Sequence, residues 1–256
     1  MYDQLASDYD RFVDWPSRLS VELPFIEKIL EESNHEPGEK PSVLDVACGT
    51  GMHALALAEK SYRVSGSDLS APMITAARNN AARARLDVTF KAAGFGEAAS
   101  AFGKEQFNAV LCLGNSLPHL LTPQSLSAAL IDFRDCLKPG GVLLIQNRNF
   151  DAVTLSRNRW MPPQAFTEED QQWVFQRFYD FESVALIRFN MVTLTRKGDS
   201  AWQSRVDSTL LRPLVREELE KEIKEAGFSR HCAFGNLNGD HFDPQTSENL
   251  ILIARK

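Results

Sequence analysis

Nine residues, Val43-Leu44-Asp45-Val46-Ala47-Cys48-Gly49-Thr50-Gly51, constrain this chain more than any other stretch. The apolar run at their start reads as a buried strand that enters a tight glycine turn. Residues 52–58, with His53 near the start, then read as a helix. A strand joined to a helix through Gly-x-Gly brings bare backbone up to a ligand, because a side chain at Gly49 or Gly51 would block the approach. An acid is expected after the next strand, where it holds ribose hydroxyls. Asp68 closes Tyr62-Arg63-Val64-Ser65-Gly66-Ser67 at that place, seventeen residues past Gly51.

Two nucleoside ligands satisfy this order. Gly49-x-Gly51-x-x-Ala54 also fits a dinucleotide fingerprint, with a pyrophosphate at the helix N-terminus, which keeps an NAD(P)-dependent oxidoreductase among the readings. Asp45 argues for a cationic ligand instead, since its carboxylate would meet incoming phosphates with like charge. A cofactor-binding module without catalysis is the third reading.

Composition narrows the classes further. With 43% hydrophobic and 24% charged residues over 256 positions, the chain has material for one large core carrying a cap. A net charge of −6 gives no electrostatic footprint for a phosphate backbone, so no nucleic-acid partner is expected. Cys48, Cys112, Cys136 and Cys232 have neither zinc-site nor disulfide spacing and read as thiols in a reducing compartment. No signal peptide or membrane-length apolar run is seen, so the expectation is a cytoplasmic protein without a membrane partner.

From residue 41 strands and helices alternate, as in a parallel sheet covered on both faces. Residues 43–46, 62–68, 86–92, 107–113 and 142–146 are the expected strands, with Lys138-Pro139-Gly140-Gly141 as the stop before the fifth. Ser70 and Thr122 are placed to cap helices that admit Pro72 and Pro123 in their first turns. Residues 1–40 read as a helical lid, in which Leu5, Tyr9 and Phe12, then Leu19, Leu23, Ile26 and Leu30, recur at helical spacing. Residues 151–211 break the alternation. Trp173, Phe175, Tyr179, Phe181, Phe189, Val192 and Trp202 suggest two or three antiparallel strands forming an inserted cap. Residues 212–256 return to the core with a helix and two strands.

The strand ending in Asp followed by Gly-x-Gly resembles the class I S-adenosylmethionine-dependent methyltransferases. That resemblance implies an α/β fold: a Rossmann-like, doubly wound, seven-stranded and mostly parallel sheet with an antiparallel last strand. It implies S-adenosylmethionine as cofactor, held by Ala47, Gly49 and Gly51, with Asp45 near the amino group and His53 adjoining. Asp68 takes the ribose, and Leu69, Met73 and Phe95 surround the adenine. Leu113 closes the fourth strand at the same edge. The family places an acid after the third strand, where this chain has Gly94; either water or a nearby group such as Glu97 substitutes, or the adenine is held by stacking and the backbone of Phe95. The segment at residues 2–10, followed by Trp15 and Arg18, resembles the lid of small-molecule methyltransferases, so Tyr9 and Arg18 either close over the methionine end or only pack.

Gly114-Asn115-Ser116-Leu117-Pro118-His119 and Asn147-Arg148-Asn149-Phe150-Asp151 resemble segments of glycine N-methyltransferase and its relatives. The resemblance implies that Asn115 offers an amide to the acceptor and Arg148 grips its carboxylate. His119 is either a base or a histidine that orients the loop. For Arg148 the competing reading is a salt bridge to Asp151 or to the cap. The Asn/Asp-Pro-Pro-aromatic segment of adenine and glutamine N-methyltransferases is missing. Asn115, Asn147 and Asn149 are poor ligands for a hard cation, so no metal is implied. The expected reaction is methyl transfer to nitrogen or oxygen of a small-molecule acceptor, such as an amino acid or other carboxylate, by a monomer or homodimer.

Overall fold

The computed structural model describes residues 8–33, 36 and 38–256; Leu5 and most of the segment at 2–10 lie outside the described residues. The chain starts with a short helix α1 (Tyr9–Phe12) and a long helix α2 (Trp15–Glu31). Asp14 caps α2 by accepting from the Ser17 N–H at 3.2 Å. The helix buries Trp15, Phe25, Ile26, Ile29 and Leu30, each apolar side chain contributing roughly 1.5–3 kcal/mol. The core then alternates: β1 (Ser42–Val46), α3 (Met52–Glu59), β2 (Arg63–Asp68), α4 (Ala71–Ala84), β3 (Thr89–Ala92), α5 (Ala98–Phe102), β4 (Phe107–Cys112), α6 (Pro123–Cys136) and β5 (Leu137–Arg148).

After α7 (Phe150–Ser156) come four cap strands, β6 (Gln164–Glu168), β7 (Gln171–Phe181), β8 (Ile187–Lys197) and β9 (Gln203–Leu211). Helix α8 (Arg216–Glu225) leads back to β10 (Arg230–Phe234) and β11 (Asn249–Arg255). Over the described residues, seven strands form one sheet in the order β10-β11-β5-β4-β1-β2-β3. β1 to β5 run parallel, while β11 is antiparallel to both β5 and β10. Strand alternation sends Leu44 and Val46 into one core, with α6 and α8, and Val43 into another, with α2, α3 and α4.

Three expectations are corrected. The third strand is short, because Arg85 adopts a left-handed conformation (φ 58°) and Leu86 N–H turns back to the Ala81 carbonyl at 3.0 Å. Leu86 therefore closes the helix end, and residues 86–88 are a connection rather than the start of a strand. Pro139-Gly140 does not separate helix from strand: β5 begins at Leu137, pairs with Phe107, and takes up the irregularity as a register shift. The cap has four strands, not two or three. β6 escaped notice because it carries no apolar alternation and turns into β7 through Glu169-Asp170, with Glu169 at φ 53°. Helix α7 was also missed; Asn149 caps it through Ala152 N–H at 3.2 Å, and buried Phe150 ties the core to the cap residues Tyr179, Ile187 and Leu211.

Lid and cap meet directly. Tyr9 and Phe12 pack against the cap cluster of Trp173, Phe175 and Met191. Arg11 adds an ion pair to Glu168 at 2.9 Å.

Candidate functional site

The carboxyl ends of β1, β2, β4 and β5 open into a cavity of about 890 Å³, roofed by lid and cap. Its first wall is the turn after β1, where Ala47 (φ 53°) and Gly49 (φ 56°) both lie in left-handed backbone. A Cβ on Gly49 would stand 3.7 Å from the Tyr9 ring, an ordinary van der Waals contact, so it is the left-handed backbone that favours glycine here, beneath the lid. Gly51 has a different reason from the one expected. A Cβ there would meet the Phe90 ring at 2.7 Å and Ala77 at 3.1 Å, and Gly51 does not line the cavity. Its bareness serves helix–strand packing, not ligand approach.

Asp68 ends β2 with each oxygen held: Oδ2 accepts from Gly49 N–H and Oδ1 from Ser70 N–H, both at 2.9 Å. It faces the cavity beside Met73 and Leu69, the latter 79% exposed at the rim. Gly94 N–H donates to Glu97 Oε2 at 2.7 Å, so an acid from three residues downstream stands at the place where Gly94 lacks one. Gly94, Phe95 and Glu97 all line the cavity. Asp45 lies behind this wall, 2% exposed, with Oδ2 buried and without a hydrogen-bond partner. Burial, then the nearby Asp68 charge, pushes its carboxyl up to about 7, against the pull of Arg18. A buried acid in that condition is stabilised by a cationic ligand and opposed by an anionic one.

The lid reaches the sheet through a polar network that sequence reasoning saw only in part. Arg18 Nε pairs with Glu22 Oε2 at 3.0 Å, and its Nη2 donates to Gln146 Oε1 at 3.2 Å. Gln146 Nε2 donates to Glu22 Oε1 at 3.1 Å, and Gly114 N–H donates to Gln146 Oε1 at 3.1 Å. His53 Nε2 lies 2.6 Å from Glu22 Oε2 and edge-on to Trp15, so it braces the lid and does not line the cavity. Burial pushes its imidazole down, against the pull of Glu22. For Glu22, burial works upward, yet the His53 hydrogen bond and the Arg18 charge hold its carboxyl below the usual range. Arg18 and Tyr9 line the cavity, and burial pushes the Tyr9 phenol up. The missed Glu22 had a visible signal, since Arg18 and Glu22 stand four apart on one helix face.

At the other end stand Asn115, His119 and Arg148. Asn115 is left-handed (φ 67°), and its Oδ1 accepts from the Arg148 backbone N–H at 2.9 Å, pinning the loop after β4 to the end of β5. His119 ends a single 3₁₀ turn (Leu117–His119), and burial pushes it down to about 4. Leu113 is buried and does not reach the cavity; its carbonyl accepts from Ser116. Arg148 pairs with Glu248 through Nη1 at 2.7 Å, and not with Asp151, whose Oδ2 accepts from Arg216 N–H at 3.0 Å. The competitor for its guanidinium is thus one hundred residues away. Asn147 is fully buried with neither amide atom bonded, and Arg177 and Gln164 enter from the cap. No role had been assigned to these three.

A second groove, about 930 Å³, lies between α2 and β10 and holds none of the candidate residues. No helix among the described residues is long and apolar enough to cross a membrane.

Residues 43–141 match a family model described as a methyltransferase domain. Over 152 residues the chain is 36% identical to a glycine/sarcosine N-methyltransferase of Parasynechococcus marenigrum, covering 59% of this chain and 51% of that protein. The chain thus spans about half the length of that relative. It is 28% identical over 262 residues to the putative methyltransferase YqeM of Bacillus subtilis, covering all of this chain and 94% of that one. In fold it resembles an S-adenosylmethionine-dependent methyltransferase from Clostridium acetobutylicum, with a TM-score of 0.77 at 18% identity over 99% of this chain and 98% of the other. The residues present suit a cationic nucleoside: an orphaned buried acid, a bare Gly49 cradle, and a positioned carboxylate at Asp68. Residues 43–141 are thus similar to a methyltransferase domain, and the fold of the chain is that of solved S-adenosylmethionine-dependent methyltransferases.

Proposed function

We propose that this protein transfers a methyl group from S-adenosylmethionine to the nitrogen of a small-molecule acceptor that carries a carboxylate or similar anion. The observation that carries this reading is the continuity of one cavity, with Asp68 and Gly49 at one end and Arg148 at the other. Its relatives named as glycine/sarcosine N-methyltransferases support nitrogen over oxygen.

Asp68 would accept from the ribose hydroxyls, and Leu69 and Met73 would flank the adenine, with Glu97 accepting from its amine. Arg18 would pair with the carboxylate of the methionine end, while Tyr9 covers it. Asp45 would act on the ammonium through space, since it does not line the cavity. When bound, S-adenosylmethionine supplies an electrophilic methyl group, so the protein needs no nucleophile of its own. What the chain contributes is alignment and dryness: lid and cap exclude water, and Arg148 orients the acceptor. With its acidity near 4, His119 is neutral at physiological pH and would accept a hydrogen bond from an acceptor N–H rather than carry a full positive charge.

The test is a methyl-release screen with S-adenosylmethionine against amino acids, amines and hydroxylated metabolites. Methyl transfer confined to amino acids or other anionic amines supports the proposal. Transfer only to hydroxyl groups, or only to uncharged amines, defeats it.

A further inference from the structure

Strand β7 sends Trp173, Phe175, Arg177 and Tyr179 to one face by strict alternation. Trp173, Phe175 and Tyr179 are buried, and the face packs on the lid residues Tyr9 and Phe12. One charged side chain therefore stands in an aromatic row. Among the described residues, the Arg177 guanidinium makes no hydrogen bond and no ion pair; its Nε is buried and orphaned, and the guanidinium lies over the Phe12 ring, 4.7 Å from its centre. A half-buried cation without a carboxylate is destabilising unless something else satisfies it.

The neighbours say what that is. Arg148 lines the same cavity from the core side and also has an orphaned, buried Nε, because its pairing with Glu248 uses Nη1. Burial is the largest influence on Arg177 and disfavours its charge; Arg148 repels it, and Glu248 favours it. Counting formal charges, Arg148 and Arg177 against Glu248 leave this end of the cavity with one positive charge in excess. Glu248 is itself 73% exposed and already engaged with Arg148. Gln164, on β6, adds a buried Oε1 with no donor.

We propose that Arg177 is a specificity-determining residue: with Arg148 it clamps the oxyanion of the methyl acceptor between cap and core. This rests on the methyltransferase reading above. The clamp selects acceptors by an anionic group, carboxylate or phosphonate, and couples its capture to seating of the cap. The buried Gln164 oxygen then suits an N–H or O–H of the same molecule. Two guanidinium groups converging on one oxyanion give a preference that an amide or alcohol of equal size cannot satisfy.

The experiment uses the full chain loaded with S-adenosylhomocysteine and titrated with acetate, malonate and inorganic phosphate by calorimetry. Wild type is expected to bind at least one of these anions, and Arg177→Met to bind it about tenfold or more weaker, with S-adenosylhomocysteine affinity unchanged. Arg177→Lys should recover part of the loss, and Glu248→Gln should tighten the anion by freeing Arg148. Malonate and acetate binding without phosphate identifies a carboxylate acceptor; the reverse identifies a phosphonate or phosphate. Equal anion affinity in wild type and Arg177→Met overturns the proposal, as does no anion binding to a loaded wild type. Failure of S-adenosylhomocysteine to bind wild type would instead defeat the methyltransferase reading itself. If Arg177→Met melts early, Arg177→Lys and Glu248→Gln carry the decision by their opposite effects.

Discussion

Asp10 and Thr50 share a hydrogen bond of 2.6 Å that latches the lid onto the glycine turn. The same Asp10 oxygen accepts from Trp15 Nε1 at 2.9 Å, and the other oxygen from Asn80 Nδ2 at 3.3 Å. One carboxylate thus gathers α1, α2, the turn after β1 and α4. This arrangement makes the lid part of the cavity wall, with Tyr9 held over Gly49.

Removing that acceptor should therefore act on stability and binding together. Asp10→Ala strands three donors and should destabilise the protein by about 1.5–3 kcal/mol, the usual range for hydrogen bonds to a charged group. S-adenosylhomocysteine affinity should fall as well. A melting curve and a titration check both, and a variant that matches wild type in each would show the lid standing without its latch.

Asp68 carries a stronger expectation for binding alone. Its carboxylate is already positioned by two backbone donors, so under the proposed function it would be a prepared acceptor for ribose hydroxyls. Asp68→Ala should weaken S-adenosylmethionine by at least about 1.5 kcal/mol, and Glu97→Gln by about 1 kcal/mol or less. Calorimetry that ranks Glu97 above Asp68, or finds no loss at Asp68, would overturn these placements.

Much of this site was legible because local patterns dictated it. The apolar run into Gly49 and the placement of Asp68 needed only strand, turn and strand, and those rules are local. Gly51 was read correctly as a required glycine, but for the wrong reason, since the Phe90 ring that demands it comes from another strand. The Glu248 partner of Arg148 belongs to the antiparallel edge, and nothing near Arg148 in sequence announces it. In the cap, β6 has neither alternation nor turn residues, so only its pairing with β7 makes it a strand. Arg177 did have a signal: a charge at period two within an aromatic strand.

His119 allows a test by pH. Its folded value near 4 lies below its ordinary 6.5, so the unfolded chain binds the proton that the folded one refuses. Stability should decline as pH falls from about 6.5 toward 4, and His119→Gln should lessen that decline. In turnover, His119 should give kcat/KM no inflection between pH 6 and 7, because it stays neutral there. An inflection in that interval that His119→Gln abolishes would restore it as a titrating base.

Asp45 gives the opposite sign and the sharper experiment. Its carboxyl ordinarily titrates near 3.8 but in the fold near 7, so between those values the folded protein keeps a proton that the unfolded chain releases. Stability of the unliganded protein should fall as pH rises through that window, and Asp45→Asn should remove the fall. At pH 8 the variant should exceed wild type by up to about 4 kcal/mol, the full worth of such a shift. A cationic ligand reverses the sign, because its ammonium lowers the Asp45 value again. S-adenosylmethionine binding near pH 6.5 should then release a proton, visible as a buffer-dependent enthalpy, and should tighten as pH rises to about 7. Methylthioadenosine, which lacks the amino-acid end, should show neither effect. Asp45→Asn should thus be more stable and bind S-adenosylmethionine more weakly. A variant that gains stability without losing affinity would place Asp45 outside the reach of the ammonium, leaving its orphaned oxygen as a feature of packing alone.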